Sequence, residues 1–364
     1  MVHPSAARRG ARESETVIEI MSIGDNSKAR KASGSEESVR AAVLERFGSP
    51  PRPGEVEEPV AADGEALVAV RLGSLNPVDI KIASGSFFGS MPSLPYVPGS
   101  EGMGLVRTSE RLAPGTRVRF GTSRPGALAE LVAVPEESLV AVPDAVDDAF
   151  AAGIGVAGLA AWGSLHAARL QAGERVLVLG ATGMVGRLTV QLASILGAGR
   201  VVAAARDIAR LQSLAGDLAP SGPDGFVALD ARDEEAIAKA ITDAAEGQVD
   251  VIIDPLWGSP AMSGIMAAAP WARLVNLGDS VGTSLELTSD LLRSKSLTLI
   301  GYTNYALSDE EQRSGIENLL EYARAGRLSL NSEVTTLDDV AGAWERQAGS
   351  PHRKLLVTMN PSSL

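Results

Sequence analysis

The chain contains no cysteine, only 3 histidines, and just 4% aromatic residues among its 364 positions. Without cysteine there is no disulfide, no thiolate nucleophile and no zinc site of any cysteine-containing kind. His3, His166 and His352 leave little for a metal centre or a histidine-based triad, and His166 falls in a helical stretch where an isolated histidine is more often packed than a ligand. No apolar run reaches the roughly eighteen residues of a membrane span, and no signal-peptide core is present, so the sequence predicts a cytoplasmic location with no membrane partner. Positive charge is scarce too. Against 45 Asp and Glu stand 33 Lys and Arg, a formal charge of −12, and no arginine–aromatic interleaving supports a nucleic-acid surface.

What the chain does have is a length of 364 residues and a 45% hydrophobic content, enough for two domains with separate cores. Its most informative stretch runs from Arg175 to Arg206. The apolar strand Val176-Leu177-Val178-Leu179 has the composition of a strand covered on both faces. A turn follows, Gly180-Ala181-Thr182-Gly183-Met184-Val185-Gly186, then helical spacing over Leu188 to Leu196 that Gly197 stops. A pyrophosphate requires unshielded backbone N–H groups and the positive end of a helix dipole, and small residues at Ala181, Gly183 and Gly186 permit that approach. Ala181 stands where the first glycine of a Gly-x-Gly-x-x-Gly pattern would be, yet the flanking strands and helix supply the context the motif needs. The second strand ends in Ala205-Arg206. A guanidinium there suits a 2′-phosphate as a carboxylate suits a ribose 2′-OH, and Arg210 lies one helical turn on, so NADPH is the expected cofactor. Asp207 is one residue away and would serve NAD if the strand slipped; a solvated surface Arg206 is the plainer alternative.

Residues 1 to 38, rich in Ser, Arg, Lys, Glu and Gly, are expected to form a mobile extension. From Val39 short strands punctuated by Gly and Pro predict a β-barrel-like module: Arg40 to Leu44, Glu65 to Leu72, Gly104 to Thr108, Arg117 to Phe120 and Ala127 to Val134. A helix is expected over Ala160 to Ala168. Beyond Val176 strands at Arg200 to Ala204, Gly225 to Leu229, Val249 to Asp254, Arg273 to Leu277 and Ser296 to Gly301 alternate with helices at Glu234 to Ala244 and Pro260 to Ala267. Such alternation predicts a parallel, doubly wound sheet. A helix over Asp309 to Ala325 and a last strand, Lys354 to Met359, follow.

The order of a GroES-like β module, a nucleotide-binding domain and a return segment resembles the medium-chain dehydrogenase/reductase superfamily. The closest resemblance is to its zinc-independent quinone oxidoreductases. It rests on Ser74-Leu75-Asn76-Pro77-Val78-Asp79-Ile80-Lys81, on Leu94-Pro95-Tyr96-Val97-Pro98-Gly99-Ser100-Glu101-Gly102-Met103-Gly104, and on the Gly180 to Gly186 turn. It implies an α/β protein with a GroES-like β-barrel catalytic domain (39–155 and 306–364) and a Rossmann doubly wound parallel-sheet domain (156–305). Zinc-dependent alcohol dehydrogenases of the superfamily carry a His at the position of Ser100 and a cysteine-rich lobe; this chain has neither, and Glu101 alone cannot complete a tetrahedral site. Lacking a Lewis acid, hydride addition to an acceptor conjugated with a carbonyl is easier than alcohol oxidation.

The resemblance also nominates site residues. Asn76 matches an asparagine that faces nicotinamide and substrate in related reductases, or is simply a turn residue before Pro77. Asp79 is a neighbour's polariser or a helix cap. Lys81 stands where several quinone reductases have Tyr, and Phe87 falls where enoyl thioester reductases carry a proton-donating Tyr. Protonation is then left to water, Lys81 or Tyr96. Many relatives place Thr at Ala160, near the nicotinamide. Asp254-Pro255-Leu256-Trp257 and Asn276-Leu277-Gly278-Asp279 follow predicted strands, where a parallel sheet binds ligands, and should frame the nicotinamide half. Trp257 is a pocket wall or a packing residue; Tyr302, Asn304 and Tyr305 line the cleft or cover the domain junction.

The expected function is NADPH-dependent hydride transfer to a quinone or an α,β-unsaturated carbonyl compound, with Asn76 and Lys81 as donors to the developing oxygen charge. The alternatives are an enoyl-thioester or biosynthetic tailoring reductase, and a non-redox NADPH sensor or scaffold. Relatives often dimerise through the last strand of the nucleotide domain, so a homodimer through Ser296 to Gly301 is expected.

Overall fold

The computed structural model describes residues 37–87, 91–121, 126–230 and 233–359. The extension expected over residues 1–38 lies outside them except for its last two positions, and Phe88 lies outside them as well.

The chain enters through an antiparallel hairpin of β1 (Ser38–Val43) and β2 (Arg52–Glu57). Next come β3 (Glu65–Ser74), α1 (Pro77–Ala83), β4 (Glu101–Thr108), β5 (Arg117–Gly121), β6 (Leu131–Pro135) and β7 (Val140–Ala141). In β3 the residues Ala66, Val68, Val70 and Leu72 are buried at every second position, as a strand with one face on a core demands. Two consecutive helices, α2 (Asp148–Gly153) and α3 (Gly155–Ala167), carry the chain out of this module.

The second module alternates strand and helix: β8 (Arg175–Leu179), α4 (Met184–Ile195), β9 (Arg200–Ala205), α5 (Ile208–Asp217), β10 (Gly225–Ala228), α6 (Glu234–Ala244), β11 (Val249–Asp254), α7 (Ser259–Met266), β12 (Ala268–Asn276), α8 (Ser289–Ser294) and β13 (Thr298–Gly301). Its sheet has the order β10-β9-β8-β11-β12-β13 with every pair parallel. This is the doubly wound order, and it reverses between β8 and β11, which opens a crevice at their carboxyl ends.

The chain then returns through α9 (Asp309–Arg324), β14 (Ser332–Thr336), α10 (Val340–Ala348) and β15 (Lys354–Thr358). β15 pairs antiparallel with β3, so the catalytic sheet runs β14-β15-β3-β4-β5-β7, with β6 also on β3. One hydrophobic cluster joins the modules: Leu72, Met103 and Leu356 of the catalytic sheet pack with α3 and α9 against Val176, Val178 and Leu188.

Several boundaries differ from those expected. The stretch expected as one strand over Ala127 to Val134 is divided. Its first half bridges to β1 through Ala41 and Ala129, and only β6 joins β3. β12 begins five residues before Arg273, passing Pro270 and a Trp271 with φ of 68° by means of an irregularity in register. α3 begins at Gly155, ahead of the expected Ala160, because its glycine-rich first turn hides the apolar periodicity.

Candidate active site

The glycine turn after β8 is built as a cradle. Gly180 has φ of 62°, and a Cβ on Gly186 would stand 2.4 Å from the Gly180 carbonyl oxygen, so neither position takes a larger residue without displacement. Gly183 caps α4 without any side-chain hydrogen bond, leaving the first-turn N–H groups of Met184, Val185 and Gly186 to an outside acceptor. The loop after β11 closes the other side: a Cβ on Gly180 would lie 3.3 Å from Pro255 and 3.1 Å from Leu256, and one on Gly278 would lie 2.7 Å from the Pro255 carbonyl. Asp254 holds this loop in shape. Its Oδ1 accepts the N–H groups of Leu256 and Trp257, both at 2.9 Å, and Asn276 Nδ2 donates to its Oδ2 at 3.2 Å and to the Gly278 carbonyl at 2.8 Å. Leu277 N–H bonds the Asp254 carbonyl at 2.9 Å. Burial pushes the Asp254 carboxyl up, opposed by these hydrogen bonds. Ala181, Thr182 and Ala205 are all buried.

At the end of β9 the two arginines diverge. Arg206 is exposed. Arg210 is tied to Asp207, whose carboxylate caps α5 by accepting Arg210 N–H at 3.1 Å and pairs with its guanidinium at 3.2 Å.

On the catalytic side lies a buried ionic cluster. Glu101, fully buried, accepts from Lys354 Nζ at 2.8 Å, Asn76 Nδ2 at 3.1 Å and Ser74 Oγ at 3.1 Å through one oxygen, and from Arg119 at 3.2 Å and the Val156 N–H at 2.9 Å through the other. Burial by itself would raise the Glu101 carboxyl, but the charges of Lys354 and Arg119 and these hydrogen bonds hold it below its ordinary range. Because Val156 sits in the first turn of α3, the cluster anchors the helix that joins the modules. A Cβ on Gly155 would stand 2.2 Å from Glu101, so only glycine admits the carboxylate there. Asn76 precedes α1, and its Oδ1 accepts from Lys354 at 2.5 Å. Lys354, Arg119 and Glu101 are not among the expected site residues; the available signal is a lysine opening an otherwise apolar final strand.

Asp79 lies beside this cluster, 3% exposed. Its Oδ2 accepts Asn76 N–H at 2.8 Å and its Oδ1 accepts Ser100 Oγ–H at 2.5 Å. Burial pushes its carboxyl up to about 6. The Tyr96 hydroxyl is enclosed without a hydrogen-bond partner among the described residues, and burial followed by the charge of Asp79 pushes it up to about 12. Tyr96 therefore keeps its proton at physiological pH.

Contacts across the cleft complete the site. Lys81 Nζ pairs with Asp279 Oδ1 at 3.3 Å, and the Phe87 and Tyr305 rings meet with centroids 6.2 Å apart. Tyr302 and Asn304 reach the linking helix: Tyr302 OH donates to the Leu159 carbonyl at 3.0 Å, and Asn304 Nδ2 to the Val156 carbonyl at 2.9 Å. Trp257 has φ of 59° and is half-buried against the hydrophobic cluster of β11, α6 and α7. His166 bonds the Trp162 carbonyl of its own helix at 2.8 Å. His352 Nδ1 lies 3.2 Å from the Thr182 carbonyl of the glycine turn.

Comparison with known proteins agrees with this architecture. Residues 62–144 match the alcohol dehydrogenase GroES-like domain. The chain is 27% identical over 316 residues to the quinone oxidoreductase of Homo sapiens, a match covering 84% of this chain and 89% of that one. A probable oxidoreductase from Mycobacterium abscessus shares the fold with a TM-score of 0.73 and 26% identity, over 88% of this chain and 100% of that one. By these matches the chain resembles the quinone-oxidoreductase-like branch of the medium-chain dehydrogenase/reductase superfamily. It is also 30% identical over 303 residues to one subunit of the phenolphthiocerol/phthiocerol polyketide synthase of Mycobacterium tuberculosis, where the match takes in 81% of this chain but the chain spans only 13% of the synthase polypeptide. A medium-chain dehydrogenase/reductase with this parallel sheet implies a nicotinamide nucleotide. The cradle fits one, since the first-turn N–H groups of α4 are uncapped and Gly183 at the cap has no side chain to cover them.

Proposed function

We propose that the protein is an NADPH-dependent oxidoreductase that reduces a quinone or an α,β-unsaturated carbonyl compound without zinc. The observation that carries the cofactor choice is the end of β9, where Arg206 is exposed while Asp207 is spent on the α5 cap. The turn Gly180 to Gly186 holds the diphosphate, and Pro255, Leu256, Asn276, Leu277 and Gly278 hold the nicotinamide half. Bound NADPH would supply the hydride; the chain supplies orientation, exclusion of water and hydrogen-bond donors.

Asn76 has two amide hydrogens, and Glu101 takes one of them; the second is the donor proposed for the substrate side. Lys81 holds an ammonium at the cleft mouth, Tyr96 keeps a phenolic proton beside Asp79, and Trp257, Tyr302, Asn304 and Tyr305 bound the pocket from the nucleotide module. A homodimer fits the exposed edge strand β13, where Leu299 is 41% exposed and Trp271 beside it 76%. Light scattering at micromolar concentration checks it, and a monomer would refute it.

A second reading is reduction of an enoyl thioester, supported by the similarity to a segment of a polyketide synthase. NADPH absorbance followed against quinones, enones and enoyl thioesters separates the two by the class that turns over. Silence across the panel with NADPH bound leaves a specialised substrate outside the panel or a non-redox role.

A further inference from the structure

We propose that Ser100 joins Asn76 as a hydrogen-bond donor to the substrate's carbonyl oxygen and that the proton on Asp79 decides whether its hydroxyl is free to act. This rests on the reductase reading above and deepens it by naming a second donor and its switch.

The geometry leaves few arrangements. Asp79 Oδ2 is occupied by the Asn76 N–H at 2.8 Å, so Oδ1 is the oxygen that meets Ser100 Oγ, at 2.5 Å. An ionised carboxylate only accepts, and then Ser100 spends its single proton on Asp79. When the carboxyl is protonated the bond reverses. Asp79 donates to Oγ, and the Ser100 hydrogen is released to another acceptor.

Ser100 is placed to use it. Half-buried, it precedes Glu101, which bonds the first turn of the linking helix. Asp79 is two residues from Lys81, which crosses the cleft to Asp279. The groups facing Asp79 are Asn76, Tyr96, Ser100, Glu101, Tyr305 and Lys354. Among them Lys354 favours the carboxylate and Glu101 opposes it, while burial keeps the carboxyl near a value of about 6, where a switch responds to physiological pH.

The step balances. Hydride arriving at the β-carbon sends the C=C electron pair toward the carbonyl, and the oxygen that gathers negative charge takes the proton of Ser100 as Ser100 takes that of Asp79. One enol and one carboxylate result; solvent reprotonates Asp79. Ser100 touches substrate, whereas Asp79 acts through it as a positioning residue.

The test uses the full chain with 2-cyclohexen-1-one and 1,4-benzoquinone as acceptors, and carboxyl ¹³C NMR of aspartate-labelled protein without cofactor, assigned with Asp79→Asn. The Asp79 signal should titrate with a midpoint near 6, and Ser100→Ala, which removes a bond to the ionised form, should raise that midpoint. In turnover, kcat/KM should fall about tenfold per pH unit above the midpoint. Asp79→Asn should flatten the profile. Ser100→Ala should lose on the order of a hundredfold in turnover below the midpoint while NADPH affinity holds. An Asp79 ionised throughout pH 5–8, a wild-type pH profile in Asp79→Asn, or wild-type turnover in Ser100→Ala each overturns the proposal. Absence of reduction by the wild type at any pH would instead count against the reductase reading, and the NMR then decides the switch: a midpoint unmoved by Ser100→Ala overturns it, a raised one upholds it.

Discussion

Lys81 Nζ lies 3.3 Å from Asp279 Oδ1, joining α1 of the catalytic module to the loop after β12 across the cleft. Both side chains are more than half exposed, 60% and 56%, so the pair contributes little to stability, about 0.5 kcal/mol in water. In the proposed reading this ammonium meets the substrate. Lys81→Ala should lower kcat on the order of tenfold or more, as loss of a proton donor does, with a smaller change in NADPH affinity. Asp279→Asn, which removes the partner and keeps the ammonium, should retain more turnover. Stopped-flow NADPH oxidation with separate binding titrations checks both, and wild-type turnover in Lys81→Ala removes its catalytic role.

Removing one partner from the Glu101 cluster would strand a buried charge. Lys354 is 3% exposed and its partner Glu101 1% at the side chain, so removing the lysine leaves a buried carboxylate with Arg119 as its remaining cation. Lys354→Ala should cost about 3–5 kcal/mol, read as a lower denaturant midpoint. The pH dependence has a definite sign. Glu101 is held below its ordinary value when folded, so its contribution is present at neutral pH and is lost as pH falls through that lowered value. Wild-type stability should therefore drop on strong acidification, and Lys354→Ala should show a weaker drop.

Asp79 has the opposite sign. Its folded value, about 6, exceeds the ordinary 3.8, so the folded chain keeps a proton that the unfolded chain has released. Stability from this group falls as pH rises through that window and is fully lost above it. Asp79→Asn keeps an acceptor for the Asn76 N–H without a buried charge, and should gain about 1–3 kcal/mol relative to wild type at pH 7.5. The gain should vanish near pH 4. Urea denaturation at the two pH values checks it.

How legible all this is in the sequence depends on where the information is local. β11 over Val249–Asp254 and α6 over Glu234–Ala244 have the boundaries expected, since a strand covered on both faces and an amphipathic helix with Ile237 and Ile241 inward each declare themselves within a few residues. β2 does not, because Arg52-Pro53-Gly54-Glu55-Val56-Glu57 has poor strand propensity and is ordered by pairing with β1 at an edge that tolerates proline. The glycine cradle is equally local. The ionic cluster is not: Lys354 and Glu101 are 253 residues apart, and nothing near either names the other. Asn76 shows the same division, for its match to related reductases is visible in the motif, whereas its bonds to Glu101 and Lys354 belong to the return of β15 beside β3.

Arg206 and Arg210 make unequal claims on a 2′-phosphate. Arg210 is already paired with Asp207 at 3.2 Å, so recruiting its guanidinium means giving up that ion pair, while the α5 cap, made through its backbone N–H, stays. Arg206 is exposed at the end of β9 and has no such pair among the described residues to give up. A charge-assisted bond of this kind is worth about 1.5–3 kcal/mol, so Arg206→Ala should weaken NADPH binding on the order of 10- to 100-fold while leaving NADH affinity unchanged. Arg210→Ala should cost less. Asp207→Ala frees Arg210, and its gain from a second guanidinium opposes its loss from the missing cap, so NADPH affinity should change little while α5 becomes less stable. Isothermal titration of both nucleotides against the three variants measures the ranking. Equal affinities for NADH and NADPH, unmoved by Arg206→Ala, would overturn the NADPH assignment.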